Sequence, residues 1–114
     1  MSNEVFKVTS RQAGNAIVIA VEGYINNLAG EKILDEFNRR TAEGHRRFVL
    51  NLEKTQLVNS IGVSILIEMI EKAQELNGSI AFCCLLPIIA KTFKIMGLTQ
   101  YAQVYETEAE ALAG

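Results

Sequence analysis

The residue of this sequence best placed to do chemistry is Ser60, which follows Leu57-Val58-Asn59 where a strand-like segment gives way to a long helical pattern. A serine hydroxyl at a helix start can accept a hydrogen bond from a free first-turn N–H and act as an N-cap. The same position suits a phosphate. A dianion there meets the positive end of the helix dipole, so phosphorylation of Ser60 would be tolerated without unfolding. Gly62 also has two uses: letting the helix pack closely on a sheet, or letting a partner's loop reach the helix start. The pattern does not rank them.

Other reactive side chains are isolated. His45 has no Cys or acidic cluster at ligand spacing and reads as an exposed loop histidine. Cys83 and Cys84 adjoin within a predicted strand, where neighbours point to opposite faces, so they read as small core residues and poor disulfide partners. Glu68, Glu71 and Glu75 share a helix face of the solvated kind. The phosphate-binding, nucleophile-elbow and zinc-protease motifs do not occur. The expectation is therefore a protein that is not an enzyme, with no catalytic residue, no metal and no cofactor.

The elements that must position Ser60 follow from periodicity. Val5 to Gln12 and Ala16 to Glu22 predict a hairpin about Gly14-Asn15, the second strand central in its sheet and covered on both sides. Leu28, Ile33, Leu34 and Phe37 recur at helical spacing, with Gly44 placed to end the helix. Arg47 to Leu52 predicts a strand, and Glu53-Lys54-Thr55-Gln56 a polar loop. From Ser60 to Leu76 a helix places Gly62, Ile65, Leu66, Met69, Ile70, Ala73 and Leu76 on its core face. Ile61, Val63 and Ile67 flank that stripe, either against a neighbouring element or as an exposed partner-binding patch. Ser79 to Leu86 predicts a strand, Pro87 opens a helix ending at Gly97, Val104 to Glu106 a short strand, and Thr107 caps a terminal helix. The order β-β-α-β-α-β-α-(β)-α calls for an α/β fold, a mixed β-sheet with helices packed on at least one face.

The 114 residues suit one domain spanning 1–114, with 49% apolar and 21% charged residues and a single proline. A net charge of -2 with scattered basic residues argues against nucleic acid as a partner. The absence of a leader-like N-terminus or a membrane-length apolar run predicts a cytoplasmic protein with no membrane partner.

Val18-Ile19-Ala20-Val21-Glu22-Gly23-Tyr24-Ile25-Asn26, Phe48-Val49-Leu50-Asn51-Leu52, Leu57-Val58-Asn59-Ser60-Ile61-Gly62-Val63 and Met96-Gly97-Leu98 together resemble the STAS domains, in particular the small bacterial anti-sigma factor antagonists. In that family the strand-to-helix junction typically reads Asp-Ser-Ser/Thr-Gly, whose first Ser is phosphorylated; Ser60 matches that Ser and Gly62 the Gly. The resemblance implies a partner switch that controls sigma-factor-dependent transcription. The unmodified domain binds an anti-sigma factor serine kinase of histidine-kinase-like ATPase fold, phosphorylation at Ser60 releases it, and a phosphatase resets it. It also implies a binding surface of Asn26, Asn59, Ser60, Ile61, Gly62, Val63 and Ile67. Asn26, Asn51 and Asn59 stand where the family usually has Asp, and Ile61 where a second hydroxyl residue is common. The amides keep size and hydrogen bonding while removing charge and hard-cation affinity. The alternative is a non-phosphorylated STAS scaffold subunit of a larger signalling or lipid-transport complex.

Overall fold

The computed structural model describes residues 6–114, so the expected strand start at Val5 lies outside the described residues. Strands β1 (Phe6–Ala13) and β2 (Ala16–Ile25) form an antiparallel hairpin in which Ala13 faces Ala16 across Gly14 and Asn15. Helix α1 (Asn27–Ala42) leads to β3 (Arg47–Val58), α2 (Ser60–Glu75) to β4 (Ser79–Cys83), and α3 (Pro87–Ile95), through a short turn at Leu98–Gln100, to β5 (Gln103–Tyr105). Helix α4 (Glu108–Ala113) closes the chain. The order in the sheet is β1-β2-β3-β4-β5, parallel from β2 onward. This is an α/β fold with a mixed sheet. β3, not β2, takes the centre.

The alternating faces of the strands divide the interior in two. Ile17, Ile19 and Val21 of β2, Phe48, Leu50 and Leu52 of β3, and Ile80 and Phe82 of β4 face α1, α2 and α3. Phe37 of α1 meets Phe48 with ring centroids 4.7 Å apart, and Phe93 of α3 meets Phe82 edge-on at 5.3 Å. Each such buried side chain contributes about 1.5–3 kcal/mol. On the other face Val18, Val49 and Cys83 are covered by Ala111 of the short α4.

β3 departs from expectation by running through the polar stretch 53–56. Ala20 and Glu22 face Asn51 and Lys54, and Gly23 and Tyr24 face Thr55 and Leu57, so β3 bulges twice. Each bulge resets the in–out alternation, which is why the sequence there imitates a loop. Thr55 is buried, its hydroxyl donating to the Val21 carbonyl at 2.9 Å. β4 is shorter than expected because Cys84 leaves the strand in a left-handed conformation, φ 67°. Two leucines assigned to helix cores, Leu28 and Leu76, are exposed because each lies at a helix end beyond the sheet.

Candidate functional site

The C-terminal ends of β2 and β3 lie side by side, with Ile25 paired to Val58. The next residue of each strand, Asn26 and Asn59, is a helix N-cap, so α1 and α2 begin next to one another. Asn26 Oδ1 accepts from the Ala29 N–H at 3.0 Å and Asn59 Oδ1 from the Gly62 N–H at 2.8 Å. The Asn59 N–H donates to the Ile25 carbonyl at 3.1 Å, tying the junctions together. Neither helix has a carboxylate in its first turn. The site therefore presents two uncompensated positive dipole ends.

Two close approaches fix this geometry. A Cβ on Gly62 would collide with the Ile25 carbonyl oxygen and stand 2.9 Å from Ile25 Cγ2, and one on Gly30 of α1 would meet Ile65 of α2 at 2.8 Å. Gly62 is buried, so its role is close packing of α2 on β2.

Ser60 is not the N-cap. Asn59 takes that role, and Ser60 becomes the first helical residue, exposed, with no side-chain hydrogen bond of its own among the described residues. Its carbonyl accepts from the Ser64 hydroxyl at 3.0 Å. A free, outward hydroxyl is a better nucleophile toward an incoming phosphoryl group than one engaged as a cap, because no structural bond must break first.

The residues assigned to a partner surface separate. Asn26, Asn59, Ser60 and Ile61 gather at the junction, where Ile61 is 54% exposed. Val63 is fully buried in the main core and Ile67 packs against that core, because the inward face of α2 is wider than the stripe read from the helical angles. Val63 therefore has no side-chain surface to offer a partner. Of the flank that motivated a scaffold role, Ile61 stays exposed, Ile67 is partly buried and Val63 is withdrawn into the core. Asn51 lies elsewhere, at the register of Ala20 on β3. It donates to Glu108 of α4 at 3.0 Å and accepts from the Glu53 N–H at 3.0 Å.

Sequence reasoning missed Leu28 and Leu57, 57% and 53% exposed, which join Ile61 as apolar residues at this end of the molecule. A signal for the first was present: Asn26-Asn27-Leu28 and Asn59-Ser60-Ile61 repeat one pattern, an Asn cap followed two residues later by an aliphatic side chain. Glu68, Glu71 and Glu75 are exposed, as expected of a solvated face. His45 lies in the α1–β3 loop, 4.0 Å from Glu43. The adjacent arginines at 39–40 and 46–47 have internal partners: Arg39 and Arg40 engage Glu36 and Glu43, Arg46 donates to the carbonyls of Thr41 and His45, and Arg47 to those of Ala111, Leu112 and Gly114. Among the described residues no group of His, Cys, Asp and Glu is placed to hold a metal ion, and no helix is long and apolar enough to cross a membrane.

The sequence model of the STAS domain family matches residues 7–111. The chain is 22% identical over 107 residues to BtrV of Bordetella bronchiseptica, a protein named as an anti-sigma factor antagonist, covering 94% of this chain and 92% of BtrV. The fold superposes on an anti-sigma factor antagonist from Mycobacterium paratuberculosis with a TM-score of 0.85 at 19% identity, covering 98% of this chain and 95% of that one. It also superposes on SpoIIAA, a Bacillus cell fate determinant. The unphosphorylated form gives a TM-score of 0.79 at 20% identity and 93% coverage of both chains. The phosphorylated form gives 0.72 at 20% identity, covering 94% of this chain and 97% of that one.

Proposed function

This chain belongs to the STAS domain family, and from that premise we propose that it is an anti-sigma factor antagonist switched by phosphorylation of Ser60. In its unmodified form it binds an anti-sigma factor serine kinase of histidine-kinase-like ATPase fold, withdrawing that protein from its sigma factor and so controlling sigma-dependent transcription. Phosphorylation of Ser60 by the kinase releases it, and a phosphatase restores it. The chain acts as a kinase substrate and a binding module, not as an enzyme, in the cytoplasm. The names of BtrV and of the Mycobacterium protein, and the two forms of SpoIIAA, support this reading.

One observation carries it: Ser60 has a free, exposed hydroxyl at the start of α2 because Asn59 does the capping. The two helix N-termini favour an anion by about 0.3–1 kcal/mol each, so the modified domain stays folded. The partner surface of Asn26, Asn59, Ser60 and Ile61, extended by Leu28 and Leu57, responds in the opposite sense. Adding about two negative charges at its centre forces desolvation of a dianion on binding, which weakens the complex. Gly62 and Val63 act beneath this surface by holding α2 in place, and Ile67 packs against the core further along α2.

The test is to incubate the chain with its cognate kinase and ATP and to locate phosphate by mass spectrometry. Label confined to Ser60 and absent from Ser60→Ala is expected. Absence of label on Ser60, together with unchanged binding by Ser60→Asp, would refute the switch. A stable multi-subunit complex containing no kinase would point to the scaffold role instead.

A further inference from the structure

Cys83 ends β4 on the face covered by α4, buried against Val18, Val49 and Ala111. Cys84 follows with φ 67°, a left-handed conformation that side chains other than glycine's rarely adopt. That turn defeats the alternation expected of neighbours in a strand. Instead of pointing to opposite faces, the sulfurs lie 3.0 Å apart, with the Cys84 thiol donating to Cys83 Sγ. The arrangement is held from outside the pair, since the Cys84 N–H donates to the Tyr105 carbonyl of β5 at 3.2 Å. Cys84 is partly exposed whereas Cys83 is buried, so one sulfur is open to a reagent and the other is positioned behind it.

We propose that Cys83 and Cys84 form a dithiol oxidation site that takes a peroxide as its oxidant and closes to a disulfide between adjacent residues. The Cys84 thiolate attacks one peroxide oxygen, breaking the O–O bond, forming sulfenic acid on Cys84 and releasing hydroxide, which becomes water with the thiol's proton. Cys83 then attacks the Cys84 sulfur. An S–S bond forms, the S–O bond breaks, and the leaving hydroxide departs as water with the proton of Cys83. The two thiols lose two electrons and the peroxide gains them. Burial, then the adjacent Cys84 thiol, and then the carboxylates of Glu108 and Glu53 push the Cys83 thiol up. That direction and the greater exposure of Cys84 both assign first attack to Cys84. Consecutive Cα atoms are about 3.8 Å apart, closer than the usual disulfide span of about 4.4–6.8 Å, so the closed form is of the labile, readily reduced kind.

The experiment treats the full chain with hydrogen peroxide at low molar excess, blocks remaining thiols with iodoacetamide, and measures intact and peptide masses under non-reducing conditions. The expected result is loss of the mass of two hydrogens on the peptide carrying both cysteines, no alkylation of either, an unchanged monomer on a non-reducing gel, and recovery with dithiothreitol. Cys83→Ser under the same treatment should stop at oxygen-bearing forms of Cys84, and Cys84→Ser should leave Cys83 reduced for at least tenfold longer. Independent alkylation of both residues after treatment, oxygen addition without loss of hydrogens in the unaltered chain, or disulfide only between chains would each overturn the proposal. The decisive mass comes from the unaltered chain, so a folding defect in either variant leaves the proposal open to refutation.

Discussion

Asn59 and Ser60 divide two tasks that a single serine can perform, and the division makes Ser60 available. The cap bond from Asn59 Oδ1 to the Gly62 N–H fixes the first turn of α2, whereas the Ser60 side chain anchors nothing among the described residues. Substituting Asn59→Ala should cost about 1 kcal/mol of unfolding free energy, the usual cost of a lost cap. Ser60→Ala, an exposed change away from any such bond, should stay within about 0.5 kcal/mol. Denaturant melts of both variants decide between the residues, and the reverse order would return the cap to Ser60. Adjacency alone misassigned the cap by one residue, because both Asn and Ser are strong cap formers. Only backbone dihedrals distinguish the extended Asn59, ψ 173°, from the first helical residue.

Among the elements, the pairing of α1 and α2 starts depends on glycine at two contact points. Gly62→Ala would drive a methyl into the Ile25 carbonyl that also accepts the Asn59 N–H. Such overpacking costs about 1–3 kcal/mol, which lowers the melting temperature by roughly 4–8 °C per kcal/mol in a domain of this size. Calorimetry should show that fall, with partner binding reduced as well because the two helix starts separate. α4 depends on polar ties instead. Glu108 is held below its ordinary carboxylate value by the hydrogen bond from the Asn51 amide, with Arg11 adding to it, and Glu36 of α1 is lowered first by Arg39 and then by Ser10. A carboxylate whose folded value is lowered adds stability above its unfolded value of 4.5, and that stability is lost as pH falls through the folded one. Both groups are partly exposed, so each is worth under about 1 kcal/mol. Melts from neutral pH downward should therefore steepen below pH ~4.5, and Glu108→Gln should remove part of that slope. The strand and helix order was legible because period-two and helical patterns are strong. The length of β3 was not, since its two bulges shift Thr55 inward within a polar run. The inward reach of Val63 was hidden for a similar reason: α2 packs on α1, where Gly30 meets Ile65, as well as on the sheet, and a single-stripe reading underestimates such a face.

At the scale of the whole molecule, the parallel pairing of β2 with β3 brings two strand ends and two helix starts to one pole, with Ser60 exposed and an apolar margin of Leu28, Leu57 and Ile61. α4 and the cysteine pair occupy the opposite face of the sheet. The fold and the position of Ser60 could be read from sequence. The composition of its surroundings could not, because exposure at a helix start depends on how neighbouring helix ends align. The asparagines at both caps place no carboxylate charge beside Ser60, so under the proposed switch a phosphate there meets no like charge from either cap. The most direct measurement is the affinity of the chain for its anti-sigma kinase, titrated calorimetrically before and after stoichiometric phosphorylation, with circular dichroism of both forms. The account predicts at least tenfold weaker binding after phosphorylation, about 1.4 kcal/mol, with the fold unchanged. Equal affinity of the two forms would contradict it.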